Sequence, residues 1–270
     1  MRGMSRASLV EVEERLAALT GSSQAASELG NELFGVAGLL ATQSALRRAL
    51  GDPSRSPQSR AALANGLLAG KVSDAASGLI AAVAAAKWSA PGDLTDAVEQ
   101  LAVQAIVAAS EQEGRLDDLE DELFRFSRVV ASQPELRIAL TNPFISPDAK
   151  RQLIRDLLAD KVTPEALRLI TEAVVNPLGR SLDVSLEEYA RLAARRRERL
   201  VAEVHTAVPL TEQQRGRLAA SLAAVYGHQV HLNVVLDPRV AGGLTVRIGD
   251  ELIDGSVATR LAEARRRLVA

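Results

Sequence analysis

Apolar residues recur at steps of three and four through the first two hundred positions, the spacing that lines one face of an α-helix. Leu9, Val12, Leu16 and Leu19 make the first stripe, while Glu11, Glu14 and Arg15 fall off it. The pattern predicts helices over 25–43, 57–69, 73–87 and 94–113, with a short turn through Leu46 and Leu50. It continues over 116–132, 135–140, 147–159, 163–175 and 182–200. Proline marks the breaks, because it has no backbone donor to continue a helix. Ser56 before Pro57 and Thr163 before Pro164 each suit an N-cap followed by the first helical position.

Two of these passages align. "SALRRALGDPSRSP" from Ser44 and "PELRIALTNPFISP" from Pro134 put Leu46 over Leu136, an offset of ninety residues. Without a gap, 18 of the 41 positions in Glu32–Val72 are identical to those in Glu122–Val162, where composition alone gives roughly four. A helical unit has been duplicated. The segment around 102–113 closes the first copy and stands where the second needs its opening helix, so it is expected to be shared and to couple the two rigidly. Gly35, Gly38, Gly66 and Gly78 replace bulkier residues of the second copy, which predicts looser packing in the first.

Beyond Leu200 the period changes. "VAEVHTAVP" alternates and ends at proline, as a strand does. Thr211 and Gln214 form a capping box for a helix striped by Leu218, Leu222 and Val225. Val230, Leu232, Val234 and Leu236 share one strand face, and Leu244, Val246 and Ile248 another. Gly249-Asp250 fits a tight hairpin turn into a return strand starting at Leu252 and Ile253. Ser256 is placed to cap a last helix carrying Val257, Leu261, Ala264 and Leu268. The expected fold is mainly α with a small α+β C-terminal domain: two tandem helical bundles, then β-α-β-β-α. Domain boundaries are expected at 1–101, 102–200 and 201–270.

Composition narrows the chemistry. There is no cysteine, so disulfides, thiolate nucleophiles and cysteine metal sites are excluded. Aromatic residues are 3% and the formal charge is −2, a poor basis for stacking or attracting nucleic acid. The longest apolar run, Leu79 to Ala86, falls far short of the ~20 residues that span a bilayer. No direct membrane insertion and a cytoplasmic location are therefore expected.

Each motif with a chemical reading has a structural one beside it. "GLLAGKV" from Gly66 has three residues between its glycines and Val72 where a phosphate loop needs a hydroxyl, so it reads as a helix end. His228 and His231 would face opposite sides of a strand; with His205 they read as solvated or hydrogen-bonded, and no metal is expected. Arg191, Arg195 and Arg199 form a charged helix face opposite Leu186, Tyr189, Ala193 and Leu200, either solvated or a dock for an acidic partner. The carboxylates of "DDLEDELF" from Asp117 suit a helix's first turn. Asp250 and Asp254 suit turn or cap positions. Nothing assembles a nucleophile, base and orienting group, so the chain reads as a binding protein with no catalytic residue and no cofactor.

"GGLTVRIGDELIDGSVATRLAEARRRL", Gly242 to Leu268, resembles the C-terminal signature of the delta subunit family of F-type ATP synthase, which includes the oligomycin-sensitivity-conferring protein. "EQEGRLDDLEDEL" and "PELRIALTNPFISPDAKRQLI" resemble that family's helical bundle, so the likeness covers roughly 100–270. It implies a stator role within a proton-translocating synthase at the cytoplasmic face of the plasma membrane. There the chain would be present as a single copy in a hetero-oligomer, its bundle gripping the N-terminal segment of an alpha subunit and its C-terminal domain holding the b subunits of the peripheral stalk. The signature positions are Gly243, Arg247, Gly249, Asp250, Asp254, Gly255, Ser256, Arg260 and Leu261. The alpha-binding groove would lie between the first and fifth helices of the second copy, lined by Ile106, Val107, Leu167, Ile170 and Val174. The first copy is an addition to the family's usual length. An unrelated helical adaptor, or a small nucleotide-dependent enzyme, is the alternative.

Overall fold

A computed structural model of the chain describes residues 3–90, 92–199, 201–226, 230–237, 240, 242–248 and 251–254. They form two compact units, Met1–Ala193 and Ala194–Ala270. The first is helical throughout; the second carries the sheet.

The helical unit begins with α1 (Gly3–Leu19), α2 (Ser23–Thr42), α3 (Ser44–Leu50), α4 (Pro57–Leu68) and α5 (Asp74–Ala85). It continues with α6 (Asp93–Gln112), α7 (Leu116–Ser132), α8 (Pro134–Thr141), α9 (Pro147–Leu158), α10 (Pro164–Val175) and α11 (Leu182–Arg199). The segment expected as a short turn through Leu46 and Leu50 is the two-turn helix α3; it is brief, but it follows Gln43 without a proline or glycine to interrupt it.

Local chemistry fixes the helix starts. Ser56 Oγ accepts from Ser59 N at 3.1 Å ahead of Pro57. Thr163 Oγ1 accepts from Ala166 N at 3.3 Å ahead of Pro164. Each such bond satisfies a donor that the first turn leaves free. The duplication extends to side-chain contacts. The Glu32 carboxylate accepts from Ser73 N (2.8 Å) and Oγ (2.5 Å), and Glu122, ninety positions on, accepts from Thr163 N (2.9 Å) and Oγ1 (2.7 Å). In both copies a carboxylate on the second helix thus holds the start of the fifth. Arg60 is buried with its guanidinium donating to Ala85 O and Ala86 O, both at 3.0 Å, and the equivalent Lys150 is buried too. A cation at carbonyls left free by a helix C-terminus is favoured by the helix dipole.

Helix α6 is the axis of the unit. Fourteen of its residues are buried, from Leu94 to Ser110, so it is covered on every side. It packs most extensively on α2 and also meets α1, α5, α7 and α10. Small residues permit the close α2–α6 approach. A Cβ added at Gly30 of α2 would stand 2.7 Å from Ile106 Cδ1 and 3.2 Å from Ala102 O. Gly35, Gly66 and Gly78 face open space, so the missing side chains do not loosen the first copy as expected from sequence; they simply point away from its core.

In the second unit β1 (Val201–Thr206), α12 (Glu212–Tyr226), β2 (His231–Leu236), β3 (Leu244–Ile248) and β4 (Glu251–Asp254) give a sheet of order β2-β1-β3-β4. β1 and β2 are parallel, joined by α12; β1–β3 and β3–β4 are antiparallel. Thr211 and Gln214 form the expected box, Thr211 N donating to Gln214 Oε1 at 2.8 Å and Gln214 N to Thr211 Oγ1 at 3.3 Å. Ala202, Val204, Leu222, Val230, Val246 and Ile248 are the core. The last helix expected beyond Ser256 lies outside the described residues.

Candidate functional site

The five residues expected to line a groove sit on α6 and α10. Ile106, Val107, Ile170 and Val174 are buried, and Leu167 is half-buried. α6 touches α10 and packs along α2 of the first copy, and α2 reaches α10 through single side chains. Consecutive residues of α2 make the two contacts: Gly30 abuts Ile106 on α6, and Asn31 Oδ1 accepts from Arg168 Nε on α10 at 2.5 Å. The Arg168 guanidinium also stands 4.7 Å from the centre of the Phe34 ring, a cation–π distance. Arg168 donates to Glu172 at 2.7 Å, and Asn176 Nδ2 donates to Glu172 from the next turn at 2.7 Å. A Cβ at Gly38 would lie 4.0 Å from Asn176 Nδ2. The row Arg168–Glu172–Asn176 thus tracks α2 from Asn31 to Gly38.

A second polar cluster ties α6 to α11. Glu99, 2% exposed, accepts from the Tyr189 hydroxyl at 2.6 Å and pairs with Arg180. Burial pushes the Tyr189 hydroxyl far above the usual phenol range, which keeps it a neutral donor. Asp96, one turn before Glu99, has its carboxyl raised by burial, partly offset by the Arg180 charge. Arg180 follows the backbone corner at Leu178 (φ 49°) and Gly179 (φ 79°), a left-handed pair that leucine rarely joins. Arg115 likewise pairs with the buried Glu165 at 3.2 Å and with Glu113. These buried charges have partners already, which is the arrangement of a structural lock.

The other sequence candidates fall into plain roles. Gly66–Val72 is a helix end, with Gly70 at φ 69° after α4. Asp117 and Asp118 lie in the first turn of α7, and Arg191 pairs with Glu188 of its own helix. His205 Nε2 lies 3.1 Å from Glu203 and Nδ1 3.9 Å from Asp237. His228 lies outside the described residues, and of His231 only its place in β2 is described. Among the described residues no group of three or more His, Cys, Asp or Glu is placed to hold a metal ion, and no helix is long and apolar enough to cross a membrane. Of the C-terminal signature, Gly243 follows Gly242 at φ 80° and 89°, the left-handed corner that leads into β3. Arg247 is exposed on β3, in register with Glu203 of β1 and Leu252 of β4. Asp254 ends β4, while Gly249, Asp250, Gly255, Ser256, Arg260 and Leu261 lie outside the described residues. Leu252 and Ile253 leave β4 with an exposed apolar surface.

Residues that sequence reading passed over, Asn31, Glu99, Arg168 and Arg180, are the ones that tie helices together. Glu99 carried a signal: it is a carboxylate set among Val98, Leu101 and Ala102, on the apolar side of the helix.

Helices tied by ion pairs to buried carboxylates and a separate small unit with a mixed sheet define a mainly α protein with a small α+β part. Comparison with known proteins supplies the family. The profile of the family described as ATP synthase delta (OSCP) subunit matches residues 102–268. "ATP synthase subunit delta" of Thermobifida fusca is 49% identical over 268 residues, covering 99% of each chain. The protein of that name from Streptomyces griseus is 47% identical over 269 residues, again covering 99% of each. A chain in the solved mitochondrial ATP synthase hexamer of Toxoplasma gondii is 23% identical, with a TM-score of 0.30, covering 62% of this chain and 95% of that one. The chain belongs to the ATP synthase delta (OSCP) subunit family. Its relatives share its full length, so the duplicated helical region is theirs too.

Proposed function

We propose that the chain is a stator connector of the proton-translocating ATP synthase, holding the catalytic alpha/beta head to the b subunits of the peripheral stalk. On this reading it transforms no small molecule and sits at the cytoplasmic face of the plasma membrane as a peripheral part of the complex. Residues 1–101 and 102–200 act as bundles sharing α6 and face the head through the alpha N-terminal segment. Residues 201–270 form the stalk-binding domain, and the exposed Leu252 and Ile253 offer the b subunits an apolar strand. The observation that carries the reading is the family match from Ala102 to Leu268, in a chain whose like-named relatives align along their whole length.

The test is depletion and complementation in membrane vesicles. Without the chain, ATP hydrolysis should continue while proton pumping is lost, and adding it back should restore pumping. Vesicles that couple normally without it would refute the proposal, as would pull-downs that recover neither alpha nor b at saturating bait.

A further inference from the structure

We propose that the turn between α8 and α9 carries a docking knob, the Phe144 ring, which seats in an uncharged apolar pocket on a neighbouring subunit. This rests on the connector reading above, because the neighbour is one that the assembly already holds against the helical unit.

The duplication supplies an internal control. In the first copy Ser54 N donates to Asp52 Oδ1 at 2.9 Å, and in the second Phe144 N donates to Asn142 Oδ1 at 2.9 Å. The same side-chain turn, followed by a serine N-cap and a proline, builds both tips. On that shared backbone the residues differ in one direction. Arg48, Ser54 and Arg55 of the first copy stand where the second has Ile138, Phe144 and Ile145. The turn does not require an apolar residue, since serine holds it equally well. Nor does the core, for Phe144 is 94% exposed and Ile138 65%. An aromatic residue on a turn fixed by its own hydrogen bond loses little backbone freedom on docking, which suits an interface anchor.

Three observations narrow the occupant. A ring so fully exposed protrudes, and a protruding ring is covered only by a concave, apolar receptor. Phe144 and Ile138 together offer roughly 300 Å², against about 800 Å² per partner in a stable complex. The contact is too small to hold a second copy of the chain or a passing protein, so it serves a subunit that other surfaces already retain. The cations beside the tip are engaged: Arg137 pairs with Asp183, Arg151 with Asp148 at 2.6 Å, and Lys150 is buried. They provide no basic field to draw the ring to anionic lipid, and none that asks for an acidic receptor.

The test uses the assembled synthase in membrane vesicles. A photo-reactive phenylalanine analogue replaces Phe144 in one preparation and Ser54 in another, and both are irradiated. Release of the chain from the vesicles is timed for Phe144→Ser and Phe144→Leu, each first matched to wild-type helicity by circular dichroism. The expected results are adducts from position 144 to one other subunit of the synthase, release about tenfold faster for Phe144→Ser, and partial rescue by Phe144→Leu. Adducts to lipid alone, to a second copy of this chain, or to nothing overturn the inference. So does Phe144→Ser retained like wild type, or the same subunit captured equally well from position 54. A wild-type chain that is itself absent from the synthase sinks the connector reading, and this partner with it.

Discussion

Gly30→Ala tests the close approach of α2 to α6, and its sign depends on the neighbour. Alanine in a helix interior is worth about 0.8–1 kcal/mol over glycine, by propensity alone. At this position the new Cβ would stand 2.7 Å from Ile106 Cδ1 and 2.9 Å from Cγ1, with the Ala102 carbonyl at 3.2 Å. Ile106 is 1% exposed and has nowhere to turn. Overpacking of this kind costs roughly 1–3 kcal/mol, so the net expectation is destabilisation by about 1 kcal/mol. Ile106→Ala alone should cost about 2–5 kcal/mol through the cavity it leaves. In that background the side-chain clash is gone and only the Ala102 carbonyl at 3.2 Å stays close, so Gly30→Ala should stabilise by roughly 0.5–1 kcal/mol, a coupling of about 2 kcal/mol. Gly78→Ala, inside α5 and facing open space, is the control and should stabilise in both backgrounds. Urea unfolding followed by circular dichroism at helical wavelengths supplies all four free energies. If Gly30→Ala stabilises the parent chain as much as Gly78→Ala does, α2 is not seated on α6 at this depth.

Three further outcomes follow from buried and capping groups. Tyr189→Phe removes one bond to a buried carboxylate and should cost about 1.5–3 kcal/mol, whereas Glu99→Ala strands Arg180 and the tyrosine hydroxyl together and should cost more, about 3–5 kcal/mol, in the same urea assay. Burial raises the Asp96 carboxyl above the ordinary aspartate range, so its protonated form is the one the fold favours: its contribution is full below the unfolded value of about 3.9 and is lost as pH rises through the folded value. Asp96→Asn should therefore stabilise the chain at neutral pH, with the advantage vanishing in acid; an advantage that persists below pH ~3.8 would contradict the burial argument. Thr211→Ala opens the capping box of α12 and should lower the stability of the C-terminal unit by about 1 kcal/mol, read by hydrogen exchange in β1 and β2.

Local rules made much of this fold legible. Prolines, caps and three-four stripes located the helices to within a residue or two, and the ninety-residue offset announced the duplication. The strand alternation likewise found β1 to β3, and Val246 and Ile248 point inward as expected. What stayed hidden depends on pairs far apart in the chain. Leu136, the match of Leu46 across the two copies, is half-buried while Leu140, one turn on, is fully buried, because α8 is short and only its end reaches the core. Ile106, Val107, Ile170 and Val174, expected to line a groove, are buried on α6 and α10. No local signal reveals that α2 covers part of α6 and reaches Arg168 of α10. Helical periodicity says that a face is covered, never by what, and the answer here lies 137 residues from Arg168, at Asn31.

For a protein proposed to resist torque, the way the two copies are joined matters more than the strength of either. Two bundles on a flexible linker would turn about it whenever the head was pushed. Here the joint is α6, which is the sixth helix of one copy and the first of the next, buried from Leu94 to Ser110. Relative rotation would have to strip that helix of its α2 contact and break the Asn31–Arg168 bond at the same time. Apolar packing alone leaves helices free to slide, because one methyl contact replaces another at little cost. Buried charges do not slide, since a displaced pair leaves an uncompensated ion in the core. Glu99 with Arg180 and Tyr189 fixes α6 against α11 and the turn before it, and the exposed Arg168–Asn31 bond adds one polar tie from α10 to α2. The physical case for a stator thus rests on a buried carboxylate at a seam between helices, Glu99, with the Arg180 charge and the Tyr189 hydroxyl facing it.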